Sequence, residues 1–317
     1  TPLTRYDVEG PGAAHFLQHL TTNDVDTAVG RVTYTLMLDE RGGIRSDLTV
    51  ARLGADHYRV GANGPLDLDA MLRHARAGTP DGPVTVRDVT GATCCVGVWG
   101  PRARAMVAPL ADADLGHKAF GYFRAVRTYL GAIPVIMMRV SYVGELGWEI
   151  YTDAEYGGAL WDLLWEAGSD HGVIAAGRLA FDSLRLEKGY RAWGHDMTSE
   201  DTPAEAGVEF AVKDTTDFVG RCALAARPAT RRLRTLAFDD PDAVVLGKEP
   251  VSIDGTVVGY VTSAGWSATL GRCVAYAWLP LDTPLGTAVS VTYFAAALGA
   301  TVSDDAVVDP AGQLIRR

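Results

Sequence analysis

Apolar residues at helical spacing predict two amphipathic helices in the first half of the chain. One covers Gly12–Leu20, and its apolar face consists of Ala13, Phe16, Leu17 and Leu20. The other covers Asp153–Ala167, and its predicted buried positions are Leu160, Trp161, Leu163 and Leu164. Each helix has polar residues on its opposite side, which is typical of helices that pack against a sheet.

Runs of β-forming residues lie between and around these helices. Arg31–Leu38 and Ile44–Leu53 flank a polar turn, and together they predict a hairpin. Ile133–Val143 predicts a long apolar strand, and Trp148–Thr152 predicts its hairpin partner. Because hairpins and helices are mixed in this way, the pattern favours an α+β fold over a doubly wound sheet.

The pattern changes at about Arg231, where short β-forming runs separated by glycine and proline replace the helices. These runs are Leu233–Phe238, Pro250–Ile253, Thr256–Thr262, Cys273–Trp278 and Ala288–Thr292. Such spacing predicts a small antiparallel barrel as a separate C-terminal domain.

The net charge of the chain indicates which classes of binding partner are not expected. The 317 residues include 39 acidic and 29 basic ones, and the formal net charge is −10. Nucleic acids and anionic membranes both attract basic surfaces, so neither is an expected partner. The longest apolar runs also fall short of the roughly 20 residues that a membrane-spanning helix needs.

The cysteines and histidines predict neither a metal site nor a redox site. Cys94, Cys95, Cys222 and Cys273 form no CxxC pair, and the seven histidines show no metal-binding spacing. Unpaired cysteines of this kind fit a reducing, cytoplasmic location. The chain begins at Thr1 without an initiator methionine, so we expect processing or a longer parent protein.

The first candidate site lies on the predicted hairpin near residue 40. Asp47 interrupts a β-forming run, where aspartate is disfavoured. If the connecting loop is Asp39–Gly42, Tyr34 lies directly opposite Asp47 on one face of the sheet. A loop one residue longer sends the two side chains to opposite faces, and an isolated carboxylate is often simply solvated.

The second candidate site is the predicted hairpin around Gly144-Glu145-Leu146-Gly147. With that four-residue loop, Val143 faces Trp148, and Tyr142 faces Glu149 as a cross-strand neighbour. An aromatic ring beside a carboxylate suits a flat heterocycle, since the ring stacks and the carboxylate accepts paired N–H donors. The alternative is an ordinary exposed turn.

A third region combines a helix with the loop that follows it. In the stretch Asp182–Gly189, Leu184 and Leu186 are expected to pack inward, whereas Arg185, Glu187 and Lys188 are expected to meet water or partners. Trp193 then lies in a loop, either as a packed aromatic residue or as the wall of a channel. The Gly265-Trp266-Ser267 segment is expected to be a turn that either approaches the site or covers the edge of the core.

These three regions, in this order, resemble one family. Tyr34–Val50, Ser141–Ile150 and Asp182–Tyr190 resemble segments of the aminomethyltransferase family, which includes the glycine-cleavage T-protein. The last segment is most similar to the folate-binding part of dimethylglycine and sarcosine dehydrogenases and to tetrahydrofolate-dependent demethylases. In the T-protein an arginine of the folate site stands where this chain has Phe181, and the difference favours the demethylating relatives.

The resemblance implies a three-domain, cloverleaf-like α+β fold around a central folate cavity. Residues 1–50 together with 139–230 would form one α+β domain and residues 51–138 a second. Residues 231–317 would form the antiparallel barrel.

The resemblance also implies roles for single residues. Asp47 would be the catalytic carboxylate. The residues implied to bind tetrahydrofolate are Tyr34, Thr49, Gly61, Tyr142, Glu149, Trp193 and Trp266.

The function that the resemblance implies is transfer of a methyl or methylene group from nitrogen, oxygen or sulfur of a small molecule to tetrahydrofolate. Some relatives carry an FAD-dependent oxidase upstream, so such a domain or subunit is an expected partner.

Two alternative functions stay open. One is a non-catalytic folate-binding protein of iron–sulfur assembly, although the cysteine of that signature is missing beside Gly189-Tyr190. The other is an enzyme of the same fold that no longer uses folate.

Overall fold

Five antiparallel strands form the first sheet of the computed structural model, which describes residues 3–317. The strands are β1 (Thr4–Glu9), β2 (Val32–Leu38), β3 (Ile44–Gly54), β4 (His57–Ala62) and β5 (Thr85–Asp88), in the order β2-β3-β4-β1-β5. Helices α1 (Ala13–Leu20) and α2 (Pro65–Arg76) pack against this sheet. The predicted apolar face of α1 is confirmed, because all four of its residues are buried in the core that the helix shares with the sheet.

The second sheet has four antiparallel strands in the order β6-β9-β8-β7. They are β6 (Thr93–Trp99), β7 (Ala125–Leu130), β8 (Ile133–Met138) and β9 (Gly147–Asp153). Helices α3 (Ala103–Val107) and α4 (Gly157–Gly168) cover it. Leu160 and Leu164 of α4 are buried as predicted, but the prediction was wrong for Trp161, which is 47% exposed and stacks on Trp165 outside the core.

The C-terminal strands close into the predicted antiparallel barrel. They are β10 (Arg231–Phe238), β11 (Pro250–Ile253), β12 (Thr256–Ser267), β13 (Arg272–Pro280), β14 (Ala288–Tyr293) and β15 (Ala296–Ser303). The closed order is β10-β13-β12-β11-β14-β15. The expected turn at Gly265-Trp266-Ser267 was wrong, because β12 continues through these residues and Trp266 pairs with Cys273.

Short helices connect the sheets and the barrel. They are α5 (Arg178–Glu187), α6 (Pro203–Ala206) and α7 (Arg221–Ala225). Single 3-10 turns cover Ala108–Leu110, Ala154–Tyr156, Ser169–His171, Glu209–Ala211 and Leu314–Arg316. Among residues 3–317, no helix is both long enough and apolar enough to cross a membrane.

Helix α5 lies against the barrel, and this packing reverses the expectation for its charges. Arg185 is 4% exposed and forms an ion pair with Asp196, which also accepts hydrogen bonds from two barrel hydroxyls. Glu187 is 4% exposed and accepts hydrogen bonds from Ser267 and Thr269 of the barrel segment. Lys188 is also buried, paired with Asp309. These charges do not meet water; they fasten the helix to its neighbours.

The two sheets pack against each other through a shared apolar layer. The buried members of this layer are Val32, Ala51, Cys95, Ala125, Ile136, Met138 and Tyr151, which come from both sheets. The α+β class and the C-terminal barrel are therefore confirmed. The division of residues 1–230 into two domains stays a prediction, and β3 continues through the proposed boundary between residues 50 and 51.

Candidate functional site

Asp47 lies on β3 and is held by two side chains from neighbouring elements. The Tyr34 hydroxyl on β2 donates to Oδ2 of Asp47 at 3.1 Å. The Asn63 amide, just after β4, donates to Oδ1 at 2.8 Å. Burial raises the pKa of Asp47, and the hydrogen bonds from Asn63 and Tyr34 oppose that rise. The result is a partly buried carboxylate of fixed orientation and raised proton affinity.

The pairing of β2 with β3 differs from the predicted register. Tyr34 pairs with Thr49, and Leu36 pairs with Asp47, because Leu38 pairs with Ile44 instead of Gly43 and a bulge follows Met37. The expectation that Tyr34 lies directly opposite Asp47 was therefore wrong. A shift of two residues keeps both side chains on the same face, so the contact between them still forms.

Asn63 is a site residue that the sequence reasoning missed. Its amide donates to Ser46 at 3.0 Å as well as to Asp47, and Ser46 in turn donates to Asp67 at 2.9 Å. Asp67 also accepts from the backbone N–H of Asn63 at 2.9 Å, at the start of α2. The available signal was an asparagine directly before Gly64-Pro65, at the end of a strand and the beginning of a helix.

Glu149 lies on β9, where it pairs with Gly97 of β6 and Met138 of β8. The Tyr151 hydroxyl donates to Oε2 of Glu149. Burial raises the pKa of Glu149, and the Tyr151 hydrogen bond opposes the rise. Glu149 is thus a second partly buried carboxylate, on the opposite sheet from Asp47.

A small chamber lies between the sheets and contains three of the predicted site residues. Its lining consists of Leu3, Arg5, Thr49, Arg59, Gly61, Met138, Glu149 and Tyr151, and its volume is about 10 Å³. Thr49 and Gly61 are direct partners in the β3–β4 pairing. Thr49 is two residues beyond Asp47 on the same strand, so Asp47 lies on the same sheet face, a step of about 7 Å away.

Strands β8 and β9 pair antiparallel as the predicted hairpin, but the four-residue loop was wrong: Met138, and not Tyr142, is the cross-strand neighbour of Glu149. Strand β8 ends at Met138, β9 begins at Gly147, and Tyr142 lies in the loop between them. Its ring stacks on Phe181 at 5.1 Å and on Tyr190 at 5.9 Å, and its hydroxyl donates to the Arg191 carbonyl. The loop leaves the sheet because its residues pack against other parts of the chain: Gly144 has a φ of +80° and lies against Lys188.

The two tryptophans proposed for the cofactor lie outside the chamber lining. Trp193 donates its indole N–H to the Ile44 carbonyl at 3.0 Å, so it holds the first residue of β3. Trp266 lies on β12 with 49% of its surface exposed, and its carbonyl accepts the Ser183 hydroxyl. The structure brings together Tyr34 with Asp47, and Thr49 and Gly61 with Glu149, but it does not bring Trp266 to them.

A larger open groove of about 620 Å³ adjoins the chamber. Arg59 and Tyr151 line both cavities, so these two side chains form part of the wall between them. Near this wall, Asp7, Glu9 and His57 place one possible ligand atom each within 4.8 Å of one another. Arg59 forms a double hydrogen bond with Asp7, so arginine already supplies positive charge to this cluster.

Comparisons with known proteins agree with this architecture. The chain matches the family model described as the GCVT N-terminal domain over residues 1–216. It matches the model described as the glycine cleavage T-protein C-terminal barrel domain over residues 231–309. In fold it is similar to the glycine cleavage system aminomethyltransferase T from Bartonella henselae, with a TM-score of 0.86 and 26% identity, covering 97% of this chain and 84% of that one.

Curated relatives fall into two groups: longer proteins named as oxidases or dehydrogenases, and aminomethyltransferases. The chain is 34% identical to 4-methylaminobutanoate oxidase (formaldehyde-forming) of Paenarthrobacter nicotinovorans, over 100% of this chain and 39% of that protein. It is 34% identical to human mitochondrial dimethylglycine dehydrogenase, over 89% of this chain and 33% of that protein. It is 36% identical to the aminomethyltransferase of Streptomyces avermitilis, over 86% of this chain and 74% of that protein. The chain thus spans well under half of the oxidase and dehydrogenase relatives, and it belongs to the aminomethyltransferase (GcvT) family.

Proposed function

We propose that this chain is a tetrahydrofolate-dependent one-carbon transferase of the demethylase type. It would move a methyl or methylene group from nitrogen, oxygen or sulfur of a small molecule to the folate. The observation that carries the proposal is a pair of partly buried carboxylates on facing sheets: Glu149 lines the chamber, and Asp47 lies two residues along β3 from Thr49 of the same lining. Family membership supports the class of reaction, since the relatives include aminomethyltransferases.

The donor and acceptor groups around the chamber fit a reduced pterin. A carboxylate such as Glu149 can accept two parallel N–H donors from the amino-oxo edge of the ring. Gly61 leaves room for the ring, because a Cβ added there would meet only Thr49 atoms, at 3.8 and 3.9 Å. The chamber as it stands has room for about one water molecule, so its lining side chains must move apart to admit the ring.

Bound tetrahydrofolate would supply the nitrogen that accepts the one-carbon unit. Glu149, Thr49 and Gly61 would hold the pterin, and Tyr34 would line the approach to Asp47. The ionised Asp47 would stabilise positive charge that develops on the donor, or accept a proton from it. Tyr34 and Asn63 fix the orientation of this carboxylate before any ligand arrives, which lowers the cost of ordering the site.

The same relatives suggest which small molecule donates the one-carbon unit and which protein is the partner. Two of them are named as an oxidase and a dehydrogenase acting on methylated amino compounds, and most of their length lies outside the match. We therefore propose a small methylated molecule as donor and an FAD-dependent oxidase domain or subunit as partner. With a formal net charge of −10, the chain is not expected to bind nucleic acid or an anionic membrane.

The test combines binding with transfer. Calorimetry should show saturable binding of reduced folate. A panel of N-, O- and S-methylated small molecules should then include one that yields a one-carbon-loaded folate detectable by mass spectrometry. Binding with no transfer across the panel, and also with an oxidase partner supplied, would favour the non-catalytic alternative. Absence of binding would contradict the proposal.

A further inference from the structure

Tyr151 stands next to Glu149 in a way that folate binding alone does not explain. The two residues are two positions apart on β9, so their side chains share one face of the sheet. The Tyr151 hydroxyl donates to Oε2 of Glu149, and Tyr151 is only 6% exposed. Its ring also belongs to the wall between the small chamber and the open groove of about 620 Å³.

We propose that Tyr151 is a positioning residue for Glu149: its hydroxyl fixes one carboxylate oxygen and keeps the carboxylate ionised and turned for a ligand in the chamber. The inference rests on the proposed function in taking that ligand to be a reduced folate. An ionised carboxylate has about four acceptor positions, so one hydrogen bond to Oε2 leaves acceptor positions for a paired contact.

The surroundings of Glu149 explain why it needs such a donor. Burial disfavours the charged form and raises its pKa, and the Tyr151 hydrogen bond is the next largest influence and lowers it. Other charged or titratable groups come from three neighbouring strands. Arg5 of β1 and Arg59 of β4 line the same chamber, and Cys95 lies on the adjacent strand β6. Arg5 lowers the pKa of Glu149, so it acts in the same direction as Tyr151.

The tyrosine hydroxyl itself is held in its protonated, donating form. Burial and the neighbouring Glu149 charge raise the pKa of Tyr151 well above its ordinary value. Of the two partners, Glu149 is therefore the one that loses its proton first as the pH rises. Replacing Tyr151 with phenylalanine removes the donor and retains the ring, so the wall between chamber and groove stays in place.

The experiment follows the titration of Glu149 directly in the full chain without ligand. Carbon-13 labelling of the glutamate side chains gives carboxyl resonances, and the resonance lost in Glu149→Gln identifies Glu149. Tyr151→Phe should move its titration midpoint to higher pH, whereas Tyr129→Phe, an exposed tyrosine of the same groove, should not. An unchanged midpoint in Tyr151→Phe would overturn the proposal.

Binding of reduced folate then tests the consequence. We expect Tyr151→Phe to weaken binding by up to about tenfold, because an unfixed Glu149 carboxylate must then be ordered when the ligand binds. The loss should be largest on the acid side, and Tyr151→Phe should cause no further loss in the Glu149→Gln background. An equal loss in both backgrounds would contradict the positioning role. A shifted midpoint with no folate binding even in the parent chain would overturn the proposed function and leave the Tyr151–Glu149 coupling standing.

Discussion

The two carboxylates of the candidate site are held in different ways. Asp47 receives hydrogen bonds from Tyr34 on the preceding strand and from Asn63 just after the following one, and Asn63 also donates to Ser46. Glu149 is held by the residue two places along its own strand and lines a chamber. Asp47 is therefore held by donors on both of its carboxylate oxygens, whereas Glu149 is held on one oxygen and faces the chamber.

This difference suggests that the two carboxylates have separate roles. A carboxylate locked by two donors suits a fixed role near the reacting atoms, where small displacements are costly. A carboxylate at a chamber wall suits the recognition of a ligand edge. Asp47 should therefore matter most for turnover and Glu149 most for binding, and the following experiments can break or sharpen that assignment.

The largest expected effect is on turnover. Asp47→Asn retains the size of the side chain and removes its charge, so transfer should fall about 10²- to 10⁴-fold, the usual contribution of a positioned acid or base. The affinity for reduced folate should change only a few-fold. Asp69→Asn, on the exposed side of α2, is the matched control and should leave both quantities unchanged. Full transfer activity in Asp47→Asn would refute the role of Asp47.

The next effect is on binding. Glu149→Gln removes the charge that accepts the ligand N–H donors, so the affinity for reduced folate should fall about 10- to 100-fold. Calorimetry measures the loss, and Glu155→Gln, an exposed glutamate just after β9, serves as the control. If Asp47→Asn weakened binding more than Glu149→Gln did, the proposed division between the two carboxylates would be wrong.

A smaller effect concerns the pH dependence of transfer. The Asn63 hydrogen bond lowers the pKa of Asp47, so Asn63→Ala should raise that pKa further. Since the ionised form is the active one, the acid limb of the pH–rate profile should move to higher pH. Gln313→Ala, at an exposed position in the C-terminal segment, is the control. An acid limb that stays in place would show that Asn63 does not tune Asp47.

The smallest effect is on stability. Burial raises the pKa of Glu149 in the folded state, so the folded chain binds this proton more tightly than the unfolded chain does. The stability of the parent chain should therefore fall as pH rises from the ordinary glutamate value through the raised one. The stability of Glu149→Gln should not fall in this way, because glutamine does not titrate. Its melting temperature relative to the parent should be higher at about pH 8 than at about pH 4.

The sequence predicted elements well where local pattern decides the structure. The apolar stripe of α1 and the glycine- and proline-separated strands of the barrel are local features, and both predictions are confirmed. The Tyr34–Asp47 contact also formed, although a longer turn and a bulge after Met37 together changed the register by two residues. Face alternation along a strand survives such a shift, which is why the predicted contact was more robust than the predicted pairing.

The predictions failed where distant parts of the chain decide the outcome. Tyr142 was expected in a strand beside Glu149, but its loop instead packs its ring against Phe181 of α5. Arg185 was expected to face water or partners, yet the barrel covers it and provides the hydroxyls around its partner Asp196. The spacing of apolar residues within one element does not indicate which of its faces a distant part of the chain will cover.

The most direct test of the account is whether reduced folate occupies the chamber beside Glu149. Gly61→Val places a side chain in that space, where a Cβ meets only Thr49 at 3.8 Å or more, so the fold should tolerate the first added carbon. We predict that calorimetry will show saturable binding of reduced folate to the parent chain and to Gly91→Ala, a glycine with open space around it. Binding should be lost in Gly61→Val while this variant still unfolds in one cooperative transition. Equal binding by Gly61→Val and the parent chain would contradict the central claim.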